Sequence, residues 1–332
     1  MKRLVIGPNW LGDGVMALPF LRALKRSDPG GELAVLARPS TAPVFAMSGT
    51  VDDVWTSRGR DLAGFWWDAR RGRRARPDEI WVLPHSFRSA LLARAMGGRR
   101  RFGYATDGRK VLLTDAVPPP PPTGHQLRDE DRLLAAANVA PDGEAPRISI
   151  PAALSEEAGR EILSWQLAPR PIFLAPGAAF GPTKLWPAER FALLADALLD
   201  RGEKVALVVG PDEVELGRLI ARRARHRIPL LGAELDTGRL AALLSRGRLL
   251  VGNDSGPAHL AAAVGTPAVV FFGPTDPGRT APSGAPVLVL DRYVFCSPCY
   301  LKKCPYQHEC LEEITVEMAT EACLRMMREA GS

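Results

Sequence analysis

The segment at residues 248–274, RLLVGNDSGPAHLAAAVGTPAVVFFGP, constrains the fold of this 332-residue chain most strongly. An apolar strand over 249–251 leads into a polar turn over 253–256, a helix of small residues starts near Pro257, and a second apolar strand follows over 268–272. This order of elements is typical of parallel sheets in α/β proteins. Free N–H groups at the helix start face outward beyond the strand's carboxyl end, so the turn is a candidate anion site.

The polar side chains of this turn are suited to a sugar joined to a phosphate. Asp254 can accept hydrogen bonds from hydroxyl groups, His259 adds a donor, and Gly256 lets a ligand approach the backbone beside Ser255. The same residue types also occur as ordinary helix caps, and a histidine on a small-residue helix can belong to the core. The turn alone leaves both interpretations open.

Short apolar runs alternate with helical patterns in both halves of the chain, which predicts an α/β fold with two domains and a parallel sheet in each. The expected strands are 3–6, 32–37, 51–55, 79–83, 101–104 and 111–113, then 172–175, 204–209, 249–251, 268–272 and 287–290. We place the first domain at 1–168 and the second at 169–311, because Pro169 and Pro171 interrupt the pattern. The remaining segment, 312–332, is expected to form a helix that packs back on the first domain.

The loop after the first strand contains Asp13 between two glycines, at the start of a helix. Its carboxylate is therefore unshielded, and it can act as a helix N-cap or as a general base that takes a proton from a hydroxyl group. The loop contains no G-x-G-x-x-G fingerprint, which disfavours a dinucleotide-dependent dehydrogenase.

Two loops of the second half carry further candidate ligand-binding residues. The Gly/Pro-rich segment 175–187 contains Lys184, whose point charge suits a phosphate, although it can equally be a surface lysine. The segment 210–213 contains Asp212 and Glu213, which can accept ribose hydroxyls or cap the following helix.

The formal net charge of +6 is concentrated in arginine clusters at 70–76, 99–101 and 222–225. Such clusters favour an anionic substrate or an anionic membrane surface, and no recognised nucleic-acid module accompanies them, so we expect no nucleic-acid partner. No apolar run reaches the ~18 residues of a membrane span, and the N-terminus lacks the apolar core of a signal peptide. We therefore expect a cytoplasmic location.

Four of the five cysteines fall within fifteen residues, and they are Cys296, Cys299, Cys304 and Cys310. Metal ligation is the more plausible chemistry for cysteines in a cytoplasmic protein, so the cluster is a candidate zinc or iron site. The first pair has the spacing of a zinc site, but five residues separate the second pair. The alternative is reduced thiols packed within a loop.

Taken together, GPNWLGD near the N-terminus, WVLPHSFRSAL at 81–91, PGAAFGPTKLWP at 176–187 and GNDSGPAHLAAAVGTPAVVFFGPTDP at 252–277 make the chain resemble a known family. The family is the bacterial lipopolysaccharide heptosyltransferases (glycosyltransferase family 9), and the resemblance extends over about 3–328. The segments at 81–91 and 176–187 are most similar to its heptosyltransferase II branch. The resemblance implies a glycosyltransferase B fold, in which two Rossmann-like domains face a cleft.

The resemblance also implies an activity. It is the inverting transfer of heptose from ADP-heptose to the inner core of lipopolysaccharide, with no cofactor required for catalysis. The acceptor would be a lipid A–Kdo–heptose molecule, and the enzyme would work as a peripheral protein on the anionic inner face of the cytoplasmic membrane. Two alternatives stay open: a related glycosyltransferase with another nucleotide sugar or acceptor, and a nucleotide-sugar-binding protein without catalysis.

The family's functional residues map onto positions in both halves of this sequence. Asp13 corresponds to the catalytic base and Lys184 to a catalytic, phosphate-contacting lysine. The donor-binding positions are Lys184, Asp212, Glu213, Asp254, Ser255, Gly256 and His259. The expected acceptor-binding positions are Asn9, Trp10, Arg88 and Arg101. Ala179 and Phe180 replace threonines that contact phosphate in the heptosyltransferase I branch, so backbone N–H groups and Lys184 would carry more of the phosphate binding.

Overall fold

The computed structural model describes residues 1–59, 61–121 and 123–330. The chain divides into two compact units, Met1–Ile148 and Ser149–Ser332. Within the described residues, no helix is both long enough and apolar enough to cross a bilayer.

The first unit contains a parallel sheet whose central strands are buried on both faces. Its strands are β1 (Lys2–Ile6), β2 (Glu32–Ala37), β3 (Asp53–Thr56), β4 (Glu79–Val82), β5 (Arg100–Tyr104) and β6 (Asp115–Val117), in the order β3-β2-β1-β4-β5-β6. Its helices are α1 (Leu11–Met16), α2 (Leu18–Ser27), α3 (Ala42–Ala46), α4 (Leu62–Ala75), α5 (Phe87–Met96) and α6 (Asp131–Ala135). Continuous apolar strands form such sheets because helices cover both faces.

The second unit repeats this plan. Its strands are β7 (Ile172–Ala175), β8 (Val205–Val208), β9 (Leu230–Leu231), β10 (Leu249–Asn253), β11 (Ala268–Phe272) and β12 (Val287–Asp291), in the order β12-β11-β10-β7-β8-β9. Its helices are α7 (Ala152–Ser164), α8 (Ala188–Leu199), α9 (Val214–Arg223), α10 (Thr237–Ser245), α11 (Gly256–Ala263), α12 (Pro277–Thr280), α13 (Glu309–Glu312) and α14 (Val316–Glu329). The predicted α/β fold with two parallel sheets is confirmed.

Both sheets have the strand order of a doubly wound fold, which reverses direction between β1 and β4 in one unit and between β7 and β10 in the other. Ligands of such sheets bind beyond the carboxyl ends of the strands at this reversal. Close packing at the second reversal depends on Gly252, because a Cβ there would lie 2.4 Å from the carbonyl oxygen of Ala175 on β7. The fold thus gives each unit its own candidate ligand edge.

The division between the units lies about twenty residues before the expected boundary at 168/169. Helix α7, which lies in that interval, packs on α10 of the second unit. The expectation that the segment 312–332 packs on the first domain is also corrected. Apolar residues of α14, including Cys323 and Met326, belong to the core of the second unit, where the helix contacts α8, β10 and β11. Residues 331 and 332 lie outside the described residues.

The expected strand at 111–113 is wrong. A 3₁₀ helix covers Arg109–Leu112, and Val111 is 83% exposed, so Val111 and Leu112 do not enter the sheet. Strand β6 follows two residues later and pairs with β5.

Candidate active site

The polar turn of the second unit begins where β10 ends, at Asn253. Ser255 is the N-cap of α11, and Gly256 is the first residue of that helix. The Ser255 hydroxyl is buried and has no hydrogen-bond partner among the described residues. A buried hydroxyl without a partner costs free energy, and a ligand at the helix start would satisfy it.

Lys184 and Asp254 form an ion pair at this turn. Lys184 ends a 3₁₀ helix over Pro182–Lys184, and its ammonium donates to Oδ2 of Asp254. The side chains are only 11% and 5% exposed. Thr275 donates a second hydrogen bond to the same oxygen over 2.7 Å. The lysine predicted to meet a phosphate therefore lies beside the predicted anion site, held in position by the aspartate of that site.

Asn253 was not among the predicted site residues, yet it fixes the geometry of the site. Its Oδ1 accepts from the Trp186 N–H over 3.0 Å, and its Nδ2 donates to the Pro176 carbonyl over 2.6 Å. The side chain is completely buried. It joins the end of β10 to both ends of the loop that carries Lys184. The sequence signal was an amide at the end of an apolar strand.

Glu213, rather than Asp212, lies against the loop that follows β7. A Cβ built on Gly177 would meet the Glu213 carboxyl carbon at 1.9 Å, and the Glu213 carboxylate accepts from the Gly210 N–H over 2.9 Å. Asp212 is exposed. The sequence offered both carboxylates for ribose hydroxyls, and the structure places only Glu213 against this loop.

His259 is 5% exposed and lies one helical turn after Ser255 on α11. Residues four apart share a helix face, so His259 lies on the side of α11 that carries the N-cap. The second unit therefore brings together six of its predicted donor-binding residues and leaves Asp212 at the surface. The six are Lys184, Glu213, Asp254, Ser255, Gly256 and His259.

In the first unit, Asp13 lies in the first turn of α1, after strand β1. The N-cap of that helix is Trp10, and Trp10 makes no side-chain capping bond. The interpretation of Asp13 as the N-cap is therefore wrong. Gln126 donates from Nε2 to Oδ1 of Asp13 over 3.2 Å. Sequence reasoning missed this contact, because Gln126 follows Asp13 by 113 residues.

A second carboxyl group acts electrostatically on this region. Burial, with a smaller contribution from the nearby Asp129 and Asp13 charges, raises the pKa of Glu130 to about 8. Glu130 is therefore largely neutral at pH 7 and adds little negative charge near Asp13.

A cavity lies at the carboxyl edge of the first sheet. Its lining includes Asn9 after β1, Arg38 after β2, Arg88 on α5 and Asp68 on α4. Burial raises the pKa of Asp68, although Ser57 donates a hydrogen bond to it over 2.6 Å. The cavity combines two guanidinium groups with polar side chains, which suits an anionic sugar.

The structure places two predicted acceptor-binding residues outside this lining. Trp10 is 59% exposed in the neighbouring loop. Arg101 lies near the amino end of β5, away from the carboxyl edge, and its guanidinium donates to the carbonyls of Leu112 and Gly98 over 2.9 and 2.7 Å. Arg101 therefore connects loops at the opposite edge, and its predicted place among the acceptor-binding residues is not supported.

Arg109 is a functional candidate that the sequence did not reveal. It is fully buried and donates to the main-chain carbonyls of Pro84, Ser86 and Tyr104 and to the Ser89 hydroxyl. Burial lowers the pKa of its guanidinium. Arg109 thus holds the loop after β4, which lines the cavity of the first unit.

The four clustered cysteines line one small cavity beside His308 and Thr183. Among the residues that the structure describes, no group of three or more His, Cys, Asp or Glu side chains is arranged to hold a metal ion. The zinc or iron site expected at Cys296, Cys299, Cys304 and Cys310 is therefore not supported. The loop contacts the segment that carries Lys184, because Thr183 donates to the Leu301 carbonyl over 2.8 Å.

These features define a class of protein. Two doubly wound units, the second with an anion-binding edge, match the glycosyltransferase B fold of solved heptosyltransferases. The structure of the Escherichia coli ADP-heptose LPS heptosyltransferase II aligns with a TM-score of 0.86 at 26% identity and covers 100% of both chains. A glycosyl transferase family 9 structure from Veillonella parvula aligns with a TM-score of 0.88 at 24% identity over 99% of this chain and 97% of that chain, which supports the fold.

Sequence comparison gives the family. The model of glycosyltransferase family 9 (heptosyltransferase) matches residues 69–309. The lipopolysaccharide heptosyltransferase 2 of Salmonella typhimurium is 30% identical over 310 residues, which are 85% of each chain. The chain belongs to glycosyltransferase family 9, and the prediction of a heptosyltransferase enzyme is confirmed.

Proposed function

We propose that this enzyme transfers heptose from ADP-heptose to the inner core of lipopolysaccharide, with the specificity of a heptosyltransferase II. The observation that carries the proposal is the candidate anion site at the strand-order reversal between β7 and β10. There the Lys184 ammonium contacts the Asp254 carboxylate, and the buried Ser255 hydroxyl belongs to the next residue. We infer the donor, ADP-heptose, and the acceptor, lipopolysaccharide, from the names of the Salmonella and E. coli relatives.

In the proposed reaction, a hydroxyl oxygen of the acceptor attacks the anomeric carbon of the donor heptose. The bond between that carbon and the β-phosphate oxygen breaks, and ADP leaves with the electron pair. Asp13 takes the hydroxyl proton as general base. Negative charge grows on the leaving phosphate, where Lys184 and the N–H groups at the start of α11 stabilise it.

The ion pair between Lys184 and Asp254 gives each residue a role in donor binding. Before the donor binds, Asp254 neutralises the ammonium of Lys184, and both side chains are largely buried. The diphosphate then shares the ammonium, while Asp254 can accept from heptose hydroxyls. Glu213 occupies the place suited to the ribose, beside Gly177.

We further propose that the cavity of the first unit binds the acceptor, a lipid A–Kdo–heptose molecule. Arg38 and Arg88 would meet its carboxylate and phosphate groups, and Asn9 its hydroxyls. Because this acceptor is anchored in a bilayer, the enzyme would work as a peripheral protein at the anionic inner face of the cytoplasmic membrane.

A donor screen tests the proposal. The chain is incubated with ADP-heptose or with UDP- and GDP-sugars, with and without a heptose-bearing core acceptor, and nucleotide release is measured. We expect ADP release that depends on the acceptor. Faster release of UDP or GDP would identify a related glycosyltransferase, and donor binding without turnover would identify a binding protein.

Lys184→Ala refines this test. We expect weaker ADP binding and slower turnover together, because the ammonium meets both the bound diphosphate and the charge that develops on it. Adenosine binding should change little. The matched control is Lys204→Ala, an exposed lysine beside β8 in the same unit, which should leave both ligands unaffected. Equal losses for ADP and adenosine would assign Lys184 to folding.

A further inference from the structure

Five large apolar side chains are exposed together on two neighbouring helices of the first unit. They form what we term the apolar tip, consisting of Leu62, Trp66 and Trp67 on α4 and Phe87 and Leu91 on α5. Their exposed fractions range from 40% for Leu91 to 76% for Leu62. Exposed apolar patches of this kind mark interaction surfaces in soluble proteins, because leaving such groups in water is unfavourable.

The two helices run side by side in the same direction. At their starts, Arg88 of α5 donates to the carbonyl of Asp61, the N-cap of α4, over 3.0 Å. At their ends, Arg73 donates to the Ala95 carbonyl over 2.7 Å. The apolar residues all lie in the first halves of the helices, so they meet at one end of the pair. Each helix follows a parallel strand, and this end is therefore at the carboxyl edge of the sheet.

Basic residues lie beside the tip at Arg58 and continue along both helices toward their carboxyl ends. We term them the basic collar, consisting of Arg58, Arg70, Arg73, Arg74 and Arg94, all exposed. The Arg58 guanidinium lies 3.7 Å from the centre of the Trp67 ring. The acidic residue within the two helices is Asp68, which is buried at 2% exposure. The outer face of the two helices therefore combines tryptophan, phenylalanine and leucine with an excess of positive charge, beside the exposed Asp61 at the N-cap of α4.

This combination is the chemistry of a lipid interface. Tryptophan rings favour the headgroup level of a bilayer, and arginine side chains attract anionic headgroups. We propose that the apolar tip and the basic collar dock the first unit on an anionic bilayer, with Trp66 and Trp67 entering the headgroup region. This inference rests on the proposed function in one respect, because a lipid-linked acceptor gives the docking a purpose.

The position of the tip fits that purpose. The candidate acceptor cavity is lined by Phe65 and Asp68 of α4 and by Arg88 and Leu92 of α5, the same two helices that carry the tip. A bilayer in contact with the tip would lie beside the opening of this cavity. The sugar of a lipid-linked acceptor could then enter while its acyl chains stay in the membrane.

The structure also revises which arginines take part. The sequence clusters at 70–76 and 99–101 seemed equivalent for a membrane contact. However, Arg100 and Arg101 lie on β5, outside the two helices that carry the apolar tip, and Arg100 pairs with Asp115 over 2.7 Å. The collar on α4 and α5 is therefore the surface that we expect to meet lipid.

Co-sedimentation of the full chain with vesicles tests the inference. The vesicles contain phosphatidylcholine with or without phosphatidylglycerol, and salt is varied. We expect binding to the anionic vesicles, weakened by salt, and little binding to neutral ones. Trp66→Ser with Trp67→Ser should lower the partition coefficient by about tenfold or more. The control is Trp165→Ser, a tryptophan of the second unit that is 41% exposed, which should bind as the wild type does.

The basic collar is tested in the same way. Arg70→Gln with Arg74→Gln should lower anionic vesicle binding by about tenfold or more, whereas Arg222→Gln with Arg227→Gln in the second unit should not. Wild-type binding that ignores lipid charge, or tip and collar variants that bind as the wild type does, would overturn the proposal. So would a dimer in light scattering that Trp66→Ser with Trp67→Ser dissociates, because a second copy would then cover the tip.

An activity readout separates this inference from the proposed function. The tip and collar variants should transfer heptose normally to a delipidated, water-soluble core acceptor and more slowly to an acceptor embedded in vesicles. If the wild type transfers heptose to neither acceptor but still binds vesicles through the tip, the proposed function fails and the docking surface stands.

Discussion

At the scale of single residues, the first unit uses aspartate in two different ways. The Asp142 side chain is 4% exposed and pairs with Arg22 and Arg26 at 2.7 Å, so its carboxylate is fully occupied in holding the fold. Asp13 is partly exposed in the first turn of α1 and receives an amide hydrogen bond from Gln126. An amide donor orients a carboxylate without neutralising its charge, which is the arrangement that a general base requires.

We therefore expect Asp13→Asn to lower kcat by about 10²–10⁴, because the variant keeps the shape of the side chain and loses its basicity. ADP affinity and the thermal midpoint should change little. Asp142→Asn is the contrasting variant. It should lower the thermal midpoint by several degrees and leave the kcat of the folded enzyme within about twofold. Near-normal turnover in Asp13→Asn, together with a lower midpoint, would assign Asp13 a structural role.

The pKa of Glu130 predicts a pH dependence of stability. Burial raises this pKa to about 8 in the folded chain, above its ordinary value of 4.5. The folded chain therefore holds this proton more tightly than the unfolded chain does. Its contribution to stability is fully present below pH 4.5 and is lost as the pH rises toward 8. We expect Glu130→Gln to remove this part of the loss of stability. The unfolding free energies of the wild type and the variant should therefore diverge between pH 5 and 8.5.

Thermal unfolding at several pH values measures this divergence. Glu144→Gln is the control, because Glu144 is 68% exposed beside Arg147 and should leave the wild-type pH dependence unchanged. Parallel curves for the wild type and Glu130→Gln would show that the carboxyl group titrates normally.

At the scale of elements, the loop after β4 depends on one buried cation. Arg109 donates to three main-chain carbonyls and to Ser89, and its own 3₁₀ helix follows β5. A guanidinium can satisfy several carbonyls from one rigid plane, whereas a lysine ammonium or an apolar side chain cannot. Arg109 therefore fixes the loop that lines the candidate acceptor cavity, and with it the shape of that cavity.

Arg109→Met should lower stability by about 3 kcal/mol, because several buried carbonyls lose their donors. The KM for the acceptor should rise by about tenfold or more, while the affinity for ADP stays constant. Lys110→Met, a change of the exposed neighbouring residue, is the control and should alter neither quantity. If the KM for the donor rises as much as the KM for the acceptor, Arg109 supports the whole fold rather than this loop.

The elements that the sequence predicted well are those whose signal is local. The apolar runs of β2, β7 and β11 end at the predicted residues, since a strand buried on both faces has an unbroken apolar sequence. Helix α4 was missed, because its Trp-Trp-Asp segment turns apolar side chains outward and blurs the helical period. Strand β9 has only two residues and no pattern of its own.

The residues of the candidate site divide in the same way. Lys184 and Asp254 were predictable, because each stands in a polar loop after an apolar strand, and parallel strands bring such loops to one edge. Asp212 and Glu213 are neighbours in one turn, so only the packing of Glu213 on Gly177 separates them. Gln126 and Arg109 act over long sequence distances, which no local pattern encodes.

At the scale of the whole molecule, the chain uses one strand order twice and assigns the two copies different chemistry. The carboxyl edge of the second sheet carries a lysine, an aspartate and a helix start, which suit a diphosphate. The carboxyl edge of the first sheet carries Asp13 and a cavity with two arginines, which suit an acceptor. We therefore expect ADP and the acceptor to slow backbone hydrogen exchange in different units.

Hydrogen exchange measured by mass spectrometry tests this division in the intact chain. ADP at 100 times its Kd adds about 2.7 kcal/mol of stability to the state that binds it. We expect slower exchange in the second unit at 176–187, 210–213 and 253–259, because these loops would contact the nucleotide. Exchange at 7–13 and 84–89 should stay unchanged with ADP and slow with a soluble core acceptor. Lys184→Ala should abolish the ADP effect at the same ADP concentration, and Lys204→Ala should keep it. Protection of 84–89 by ADP, with none at 253–259, would reverse the assignment of donor and acceptor to the two units.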